Sequence, residues 1–315
     1  MTDHVAGRVV RPNLTILAGA VCALLTVTIW AQWIVSTRYA VATHLPVGWL
    51  GLIRYGVPAM LLAPFWLRGG LLPAGIDKRL IALMVTGCGT PFFLVVSHAL
   101  QSAPAAAAGV LLMGVLPLST AVLSRFVTGE TFTPYRLAGF AMSLAAIAMI
   151  GIGIDLGHVG YSVLLLLPLG ATLWASYTLA YRCSGLPAFQ AAGIIAAWSA
   201  LLFLPLVAAE GLAPILAADA GALAWQVLAQ GGLSGVVALV AYGFAVSRLG
   251  ASNTAAFGSL SPALAALMAI PVLGEIPNLV TCAGVVLAVL GVLFASGAVG
   301  RRRSTAAVHR EQAFR

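Results

Sequence analysis

The sequence predicts an all-α membrane protein whose ten transmembrane helices form two inverted repeats of five helices each. Three observations lead to this fold class: the chain is strongly apolar, it contains ten apolar runs of about 20 residues, and its two halves resemble each other. Runs of this length favour helices over strands, because a helix satisfies its own backbone hydrogen bonds in lipid, whereas a barrel shows shorter, alternating segments.

The composition indicates that the solvent of this chain is lipid. Hydrophobic residues make up 61% of the 315 residues and charged residues 8%, whereas a soluble domain carries about 25% charged residues. The net charge of +8 is also typical of nucleic-acid binding, but the basic residues lie between apolar runs and in the tail, where membrane topology accounts for them better. We therefore expect a lipid bilayer around the chain and no nucleic-acid partner.

Ten apolar runs are long enough to cross a bilayer, and their short connections leave no room for a soluble domain. The runs cover residues 14–36, 47–67, 80–100, 104–125, 134–153, 160–180, 188–208, 223–247, 251–271 and 277–297. The first run is longer than the apolar core of a signal peptide and lacks a clear cleavage site, so we expect a retained helix. The eighth run opens with Gln226 and Gln230, and we expect its first turn at the membrane interface.

The basic residues predict the orientation of the spans. If the N-terminus is cytoplasmic, 14 of the 16 lysines and arginines lie in cytoplasmic segments, Arg38 lies outside and Arg54 lies within a span. The positive-inside rule therefore predicts that both termini are cytoplasmic and that the number of spans is even. Residues 301–315 then form a basic cytoplasmic tail.

The two halves of the chain repeat one pattern at an offset of 144 to 145 residues. TIWAQWIVSTRYA (28–40) matches TLWASYTLAYRCS (172–184), and a second match relates the loops that follow the fourth and ninth runs. The aligned pairs are Trp30 and Trp174, Arg38 and Arg182, Pro117 and Pro262, Gly129 and Gly274, Glu130 and Glu275, and Gly139 and Gly284.

This repetition predicts the domain organisation. The first five-helix repeat covers residues 1–155 and the second covers residues 156–300. Because each repeat has an odd number of spans, the second enters the membrane from the opposite side. Inverted repeats of this kind give secondary transporters two alternative gates around one central site.

Motifs in the two halves also occur in the order of a known transporter family. They are Trp30-Ala31, Arg54, Pro117 and Gly129-Glu130 in the first half, and Trp174-Ala175, Pro262 and Gly274-Glu275 in the second. The chain thus resembles the EamA-type ten-helix exporters of the drug/metabolite transporter superfamily. The resemblance implies a multi-pass carrier of the bacterial inner membrane that exports small metabolites, often amino acids, from a central cavity. The second half has Ile195 where a counterpart of Arg54 would be sought, so no paired arginine is inferred.

Aromatic residues with helical spacing predict the walls of such a cavity. Trp30 and Trp33 share one face of the first span, and Trp174 and Tyr177 repeat this arrangement on the sixth. We predict that these four side chains bind the substrate. Packing between helices, or an aromatic belt at the membrane interface, is the alternative.

Residues on three other spans are further candidates for substrate binding. They are Ser97, His98 and Gln101 on the third span, Tyr242 on the eighth, and Asn253, Phe257 and Ser261 on the ninth. Because polar groups are costly against lipid, the polar positions should face protein or a water-filled cavity. Hydrogen bonding between helices is the alternative.

Arg54 lies about 10 Å along its helix from the predicted outer end of the second span. An arginine at this depth must snorkel to the interface, bind helix-end carbonyls, pair with an anion or bind an anionic ligand. No carboxylate lies in the middle of any predicted span. Snorkelling and binding of a substrate carboxylate therefore both stay open.

Two repeat-related pairs concern the ends and bends of helices. Glu130 and Glu275 each stand just before a predicted helix, and we expect them to cap its positive N-terminal end. Pro117 and Pro262 lie inside predicted spans and should kink them. They are either bending points of a gate or fixed kinks.

A secondary transporter working by alternating access is the function that this pattern favours. An intramembrane enzyme is the less favoured alternative, since the sequence has no HExxH or GxSxG motif, and a receptor or scaffold would have almost no extramembrane sequence. Aromatic faces, neutral hydrogen-bonding groups and one cation suit an aromatic or other neutral amino acid, with a multidrug or other metabolite exporter as the alternative.

The remaining expectations concern partners and energy. The four cysteines lack metal-ligand spacing, and we expect no metal, no cofactor and a monomer that binds a small-molecule substrate. His98 is the only histidine deep in a predicted span. Coupling to protons would need a titratable group in the cavity, so the energy source stays open.

Overall fold

The computed structural model describes residues 12–129, 131–153, 161–249, 254 and 257–295, and its ordered elements there are helices. In chain order they are α1 (Pro12–Ala42), α2 (Val47–Leu61), α3 (Ala63–Gly69), α4 (Lys78–Cys88), α5 (Thr90–Ala99), α6 (Ala105–Gly109), α7 (Leu116–Thr128), α8 (Pro134–Gly153), α9 (Val163–Ser184), α10 (Ala188–Glu210), α11 (Ala213–Ala217), α12 (Ala220–Gln226), α13 (Ala238–Leu249), α14 (Ser261–Leu273) and α15 (Leu279–Ala295). A π-helical turn (Val110–Gly114) lies between α6 and α7, and a π-helical segment (Val227–Val237) joins α12 to α13. The predicted all-α class is confirmed for these residues.

Seven helical segments in the described ranges are long and apolar enough to cross a membrane. They are Thr15–Ala42, Lys78–Ala99, Ala105–Val127, Pro134–Gly153, Val163–Ser184, Ala188–Glu210 and Ala220–Ala245. Helices α2 and α3 meet at a bend of 75° and make an eighth span if they are counted together. Helices α14 and α15 are apolar but have only 13 and 17 residues, which cover about 20 and 25 Å of a hydrocarbon core about 30 Å thick. The count of ten spans stays a prediction.

Helices of one half of the chain pack against helices of the other in matching pairs. Helix α1, the first of its half, packs against α13 and α14, and α9, the first of the second half, packs against α4 and α7. Helix α2 lies along α10, and α8 lies along α15. The most extensive helix contacts therefore join one half of the chain to the other.

The close approach of α8 and α15 depends on small residues. A Cβ placed on Gly139 would collide with the backbone nitrogen of Ala295 and would lie 2.7 Å from the carbonyl oxygen of Gly291. Gly291 in turn faces Ser143, whose hydroxyl oxygen would lie 2.7 Å from an added Cβ. Small residues at such spacing allow the backbones of membrane helices to touch.

Helices α7 and α14 begin and end alike, as the repeat predicts. Both end at a glycine in the left-handed region, Gly129 with φ 69° and Gly274 with φ 68°. Pro117 and Pro262 lie in the first turns of these helices, where a missing N–H costs no intrahelical hydrogen bond. The expectation that Pro117 lies inside a span is confirmed, since it lies within Ala105–Val127 just after the π-helical turn, whereas Pro262 lies in the first turn of α14.

An aromatic core lies between α2, α5 and α10, next to the middle of α1. Phe93 on α5 and Phe203 on α10 are wholly buried. Tyr55 stacks on Phe203 with ring centroids 5.9 Å apart and meets Phe93 edge-on at 6.0 Å. The Tyr55 hydroxyl donates to the carbonyl oxygen of Cys88 at 2.7 Å. This core fixes the part of α2 that carries Arg54.

Candidate functional site

A cavity of about 40 Å³ lies where the two halves of the chain meet. Its walls come from α1, α2, α5, α7, α9 and the two π-helical segments, with the side chains of Trp30, Trp33, Arg54, Phe92, Leu112, Met113, Leu116, Ala171, Trp174 and Ser234. The lining is almost entirely apolar and aromatic, and Arg54 is its one charged member. The structure therefore brings together four of the predicted binding residues: Trp30, Trp33, Arg54 and Trp174.

The aromatic side chains around the cavity contact one another in two groups. Phe92 stacks on Trp33 with ring centroids 5.9 Å apart and meets Trp174 edge-on at 5.1 Å. Tyr177 lies behind Trp174 at 5.5 Å. Tyr242 lies against Trp30, also at 5.5 Å. Tyr177 and Tyr242, which the sequence placed in the site, thus support its tryptophans without lining the cavity.

Arg54 points into the protein, with 8% of its surface exposed. Its guanidinium carbon lies 4.5 Å from the ring centroid of Trp33, and it lies 5.6 and 5.8 Å from the rings of Tyr55 and Phe93. An arginine over aromatic faces is attracted by the ring quadrupole, more strongly when water is excluded. This burial disfavours the snorkelling alternative, which needs a side chain that extends out of the protein.

The described carboxylates bind elsewhere and do not neutralise Arg54. Asp77 and Asp219 cap the helices that follow them, accepting from Arg79 N and Ala222 N at 2.8 Å each. Glu210 accepts from the backbone nitrogens of Gly48 and Trp49 at the start of α2. Glu275 pairs with Arg38. Within the part of the chain described, Arg54 therefore carries its charge without a carboxylate partner.

Glu275 caps a helix other than the one expected. Its Oε2 accepts from the backbone nitrogen of Ala105 at 2.7 Å, at the start of α6 in the other half of the chain. The prediction that it caps the helix directly after it is therefore wrong, although the attraction of a carboxylate to a helix N-terminus is the one expected. Its repeat partner Glu130 lies outside the described residues.

Gln226 and Gln230, which open the eighth predicted span, are buried within the protein, and Gln230 contacts Arg54. Gln226 is 1% exposed and Gln230 is wholly buried. Gln230 Oε1 accepts from Arg54 Nη1 at 3.3 Å, and Gln230 Nε2 donates to Thr37 Oγ1 at 2.9 Å. Hydropathy averaged over the run hid these two buried amides, which are spaced four residues apart on one helix face. That spacing in an apolar run was the signal that could have placed them.

Several other predicted binding residues lie away from the cavity. His98 and Gln101 are exposed, and Phe257 is half-buried without lining the cavity. Ser97 and Ser261 are wholly buried, and their hydroxyl oxygens have no hydrogen-bond partner among the described residues. Asn253 lies outside the described residues. Ser97 and Ser261 therefore form no side-chain hydrogen bond between helices among the described residues, which was the alternative to substrate binding.

Comparison with known proteins relates the whole chain to membrane carriers. The sequence profile of the EamA-like transporter family matches it twice, over residues 17–152 and 161–297. A protein of Streptantibioticus cattleyicolor described as a "Probable terminal-alkyne amino-acid exporter" is 29% identical in an alignment 302 residues long that covers 91% of this chain and 97% of the relative. A protein of known crystal structure shares the fold, with a TM-score of 0.59 and 21% identity over 91% of this chain and 97% of its own.

Proposed function

The chain belongs to the EamA-like transporter family, and on this premise we propose that it exports small neutral or aromatic amino acids by alternating access. The observation that carries this proposal is the single guanidinium of Arg54 in an aromatic cavity, without a carboxylate partner among the described residues. Such a site offers a cation for a carboxylate and apolar walls for a side chain. A family of transporters and a relative named as an exporter favour transport over enzymatic chemistry.

An inverted arrangement of two five-helix repeats, 1–155 and 156–300, is part of the proposal. Two separate matches to one family profile support the repeats. The helix contacts support a pseudo-twofold axis between the repeats. Helix α1 contacts α13 and α14, and the corresponding helix of the second half, α9, contacts the corresponding helices α4 and α7. The distribution of basic residues supports ten spans with both termini in the cytoplasm, in the inner membrane of a bacterium.

The size of the cavity supports a mechanism with more than one conformation. Ligand sites typically enclose about 300 to 1,000 Å³, whereas this cavity has about 40 Å³. An amino acid therefore needs the surrounding helices to separate before it can enter. Rocking of one half against the other around the cavity would widen it on one side at a time, with Pro117 and Pro262 at the helix breaks as candidate bending points.

The substrate class follows from the lining and from the named relative. Met113, Leu116 and the aromatic rings offer an apolar and polarisable surface that suits a slender apolar side chain. A terminal-alkyne amino acid, the class named for the relative, has such a side chain. We propose unbranched and aromatic neutral amino acids, alkyne-bearing ones included, as the substrates.

Transport by the purified full chain in liposomes tests this function. Counterflow of labelled L-phenylalanine, L-norvaline and L-propargylglycine should exceed that of empty liposomes and should saturate. The methyl esters and the decarboxylated amines of the same compounds should compete poorly, because they lack the carboxylate. Equal competition by the amines, or uptake no greater than in empty liposomes for every amino acid, would overturn the proposal.

A multidrug exporter is the second candidate, and the aromatic lining is the observation that favours it. Aromatic faces bind quaternary ammonium ions without a carboxylate, and five aromatic or sulfur-bearing side chains line the cavity: Trp30, Trp33, Phe92, Met113 and Trp174. The buried cation of Arg54 opposes it by repulsion. Counterflow of tetraphenylphosphonium in the same liposomes separates the two functions, since an amino acid exporter should not carry it.

A further inference from the structure

We infer that Gln230 is a positioning residue that determines specificity: it holds the Arg54 guanidinium with a neutral acceptor, so that the positive charge stays available to a substrate carboxylate. The inference rests on the proposed function, because it explains how the same cavity selects an acid. Gln230 touches Arg54 and does not line the cavity itself. Its role is therefore to orient the binding group.

The geometry fixes which end of the Gln230 amide faces Arg54. The Nε2 group has two hydrogens, and both are used: one is donated to Thr37 Oγ1 at 2.9 Å and one to Gln226 Oε1 at 3.3 Å. Only the carbonyl oxygen remains, and it accepts from Arg54 Nη1 at 3.3 Å. A flipped amide would set two donors against each other at Arg54 and two carbonyl oxygens against each other at Gln226.

Gln226 is fixed in turn by the backbone and side chain of α1. Its Oε1 accepts from Ser36 Oγ at 3.1 Å, and its Nε2 donates to the carbonyl oxygen of Ser36 at 3.3 Å. The chain of hydrogen bonds therefore runs from α1 through both amides to Arg54, with one consistent direction. Each amide oxygen and nitrogen of the two glutamines has a hydrogen-bond partner, and such buried networks hold their side chains rigidly.

The neutrality of the acceptor is what keeps the site selective. A glutamate at position 230 would have the same shape, but it would form a charge-assisted pair with Arg54 and cancel its charge. The amide accepts one hydrogen bond and leaves the charge in place. The guanidinium lies at the cavity wall with its face on Trp33, and its Nε has no hydrogen-bond partner among the described residues. An entering carboxylate would bind the N–H groups at its edge.

The experiment compares two probes that differ only in the carboxylate: L-phenylalanine and 2-phenylethylamine. Both are offered to wild type and to Gln230→Glu in liposomes. We expect the KM for phenylalanine to rise by about tenfold to a hundredfold with little change in kcat, since a charge-assisted hydrogen bond to the substrate is lost. The amine should become the better substrate. An unchanged preference for phenylalanine would overturn the inference.

Gln190→Glu is the matched control. It makes the same change of amide to carboxylate on α10, where the side chain lies against Gly69 and away from the cavity. It should keep the wild-type preference. If both glutamate variants lose the preference alike, the effect is a general one of added charge and the inference fails.

A double-mutant cycle, measured by melting temperature, separates failure of this inference from failure of the proposed function. Wild type that carries phenylalanine and the amine equally well, or neither, would refute the proposed function. The cycle then still tests the contact of Gln230 with Arg54. The change in melting temperature caused by Gln230→Glu should be more positive in the wild-type background than in the Arg54→Gln background, because only the wild-type background has the guanidinium partner. Equal shifts would overturn the inference.

Gln230→Met covers the case in which Gln230→Glu gives no folded protein. Methionine has a similar length and no charge, but it cannot accept the Arg54 hydrogen bond. The KM for phenylalanine should rise about tenfold, with a smaller change in kcat. An unchanged KM in this variant would show that Gln230 only fills space.

Discussion

Arg38 and Glu275, 237 residues apart in the chain, form an ion pair in which Nε and Oε1 are 3.0 Å apart. Arg38 lies near the end of α1, and Glu275 directly follows the glycine that ends α14. The side chains are 18% and 23% exposed. Arg38 Nη1 also donates to the carbonyl oxygen of Leu100 at 2.9 Å, just after α5. The pair therefore joins the two halves of the chain at one end of the helices.

Removal of this ion pair should destabilise the protein modestly. Arg38→Gln loses a partly buried pair and a hydrogen bond to a carbonyl, and we expect the free energy of unfolding to fall by about 1 kcal/mol. Thermal unfolding in detergent should show a drop of about 2–4 °C in Tm. Arg68→Gln, which changes an exposed arginine at the end of α3, is the control and should leave Tm unchanged. Equal shifts in both variants would contradict a specific role for the pair.

A covalent link at the same place should stop transport. With the native cysteines replaced, Arg38→Cys and Glu275→Cys put thiols where the two halves meet, and a short bifunctional thiol reagent should cross-link them. If the halves separate at this end during alternating access, counterflow should cease after cross-linking and return after the link is cleaved. Full activity with the cross-link intact would mean that this contact does not open. The single-cysteine variants, treated alike, are the controls.

The packing of α8 against α15 gives a stability prediction. Gly139→Ala would push a methyl group into the backbone of α15, which cannot move aside like a flexible side chain. Overpacking of this kind costs about 1–3 kcal/mol. Gly243→Ala on α13 adds the same methyl group where no atom lies within 4 Å, and it should be neutral or slightly stabilising because alanine favours helices. Similar Tm values for the two variants would refute the close contact.

The orientation in the membrane can be tested at two exposed leucines. Leu212 follows α10 and Leu72 follows α3, and both are exposed. The positive-inside rule puts Leu212 outside and Leu72 in the cytoplasm. In a background without native cysteines, Leu212→Cys should react with an impermeant maleimide in intact cells, whereas Leu72→Cys should react only after permeabilisation. The reverse pattern would invert the proposed topology.

The sequence predicted part of the cavity lining because two of its signals are local. Trp30 and Trp33 share a face through helical spacing, and the depth of Arg54 in an apolar run singled it out as a candidate, with snorkelling as the alternative. The same reasoning failed for Gln101, because α5 ends at Ala99 and helical spacing no longer applies beyond it. His98 was predicted to bind the substrate but is exposed, because helical spacing does not show which face of a helix a neighbouring helix covers.

Partners far apart in the chain could not be predicted from the sequence. The contact of Gln230 with Arg54 spans 176 residues, and it depends on how the π-helical segment turns its face towards α2. Residue patterns report periodicity along one element, not the rotation of one helix against another. The composition and the repeat, by contrast, are properties of the whole chain, and they indicated the all-helical class without any knowledge of contacts.

Arg54 itself gives the sharpest test of the proposed substrate class. If its guanidinium binds the carboxylate, Arg54→Gln should raise the KM for L-phenylalanine about tenfold to a hundredfold while leaving the folded yield nearly unchanged. Arg54→Lys should restore only part of the affinity, because an ammonium forms no bidentate pair and cannot stack as a plane over Trp33. A structural arginine would behave differently: Arg54→Gln would lower the yield and the Tm, and the KM of the surviving protein would stay at the wild-type value. Since Arg54 is the one charged side chain in the lining, that result would leave the cavity without a group to select a carboxylate.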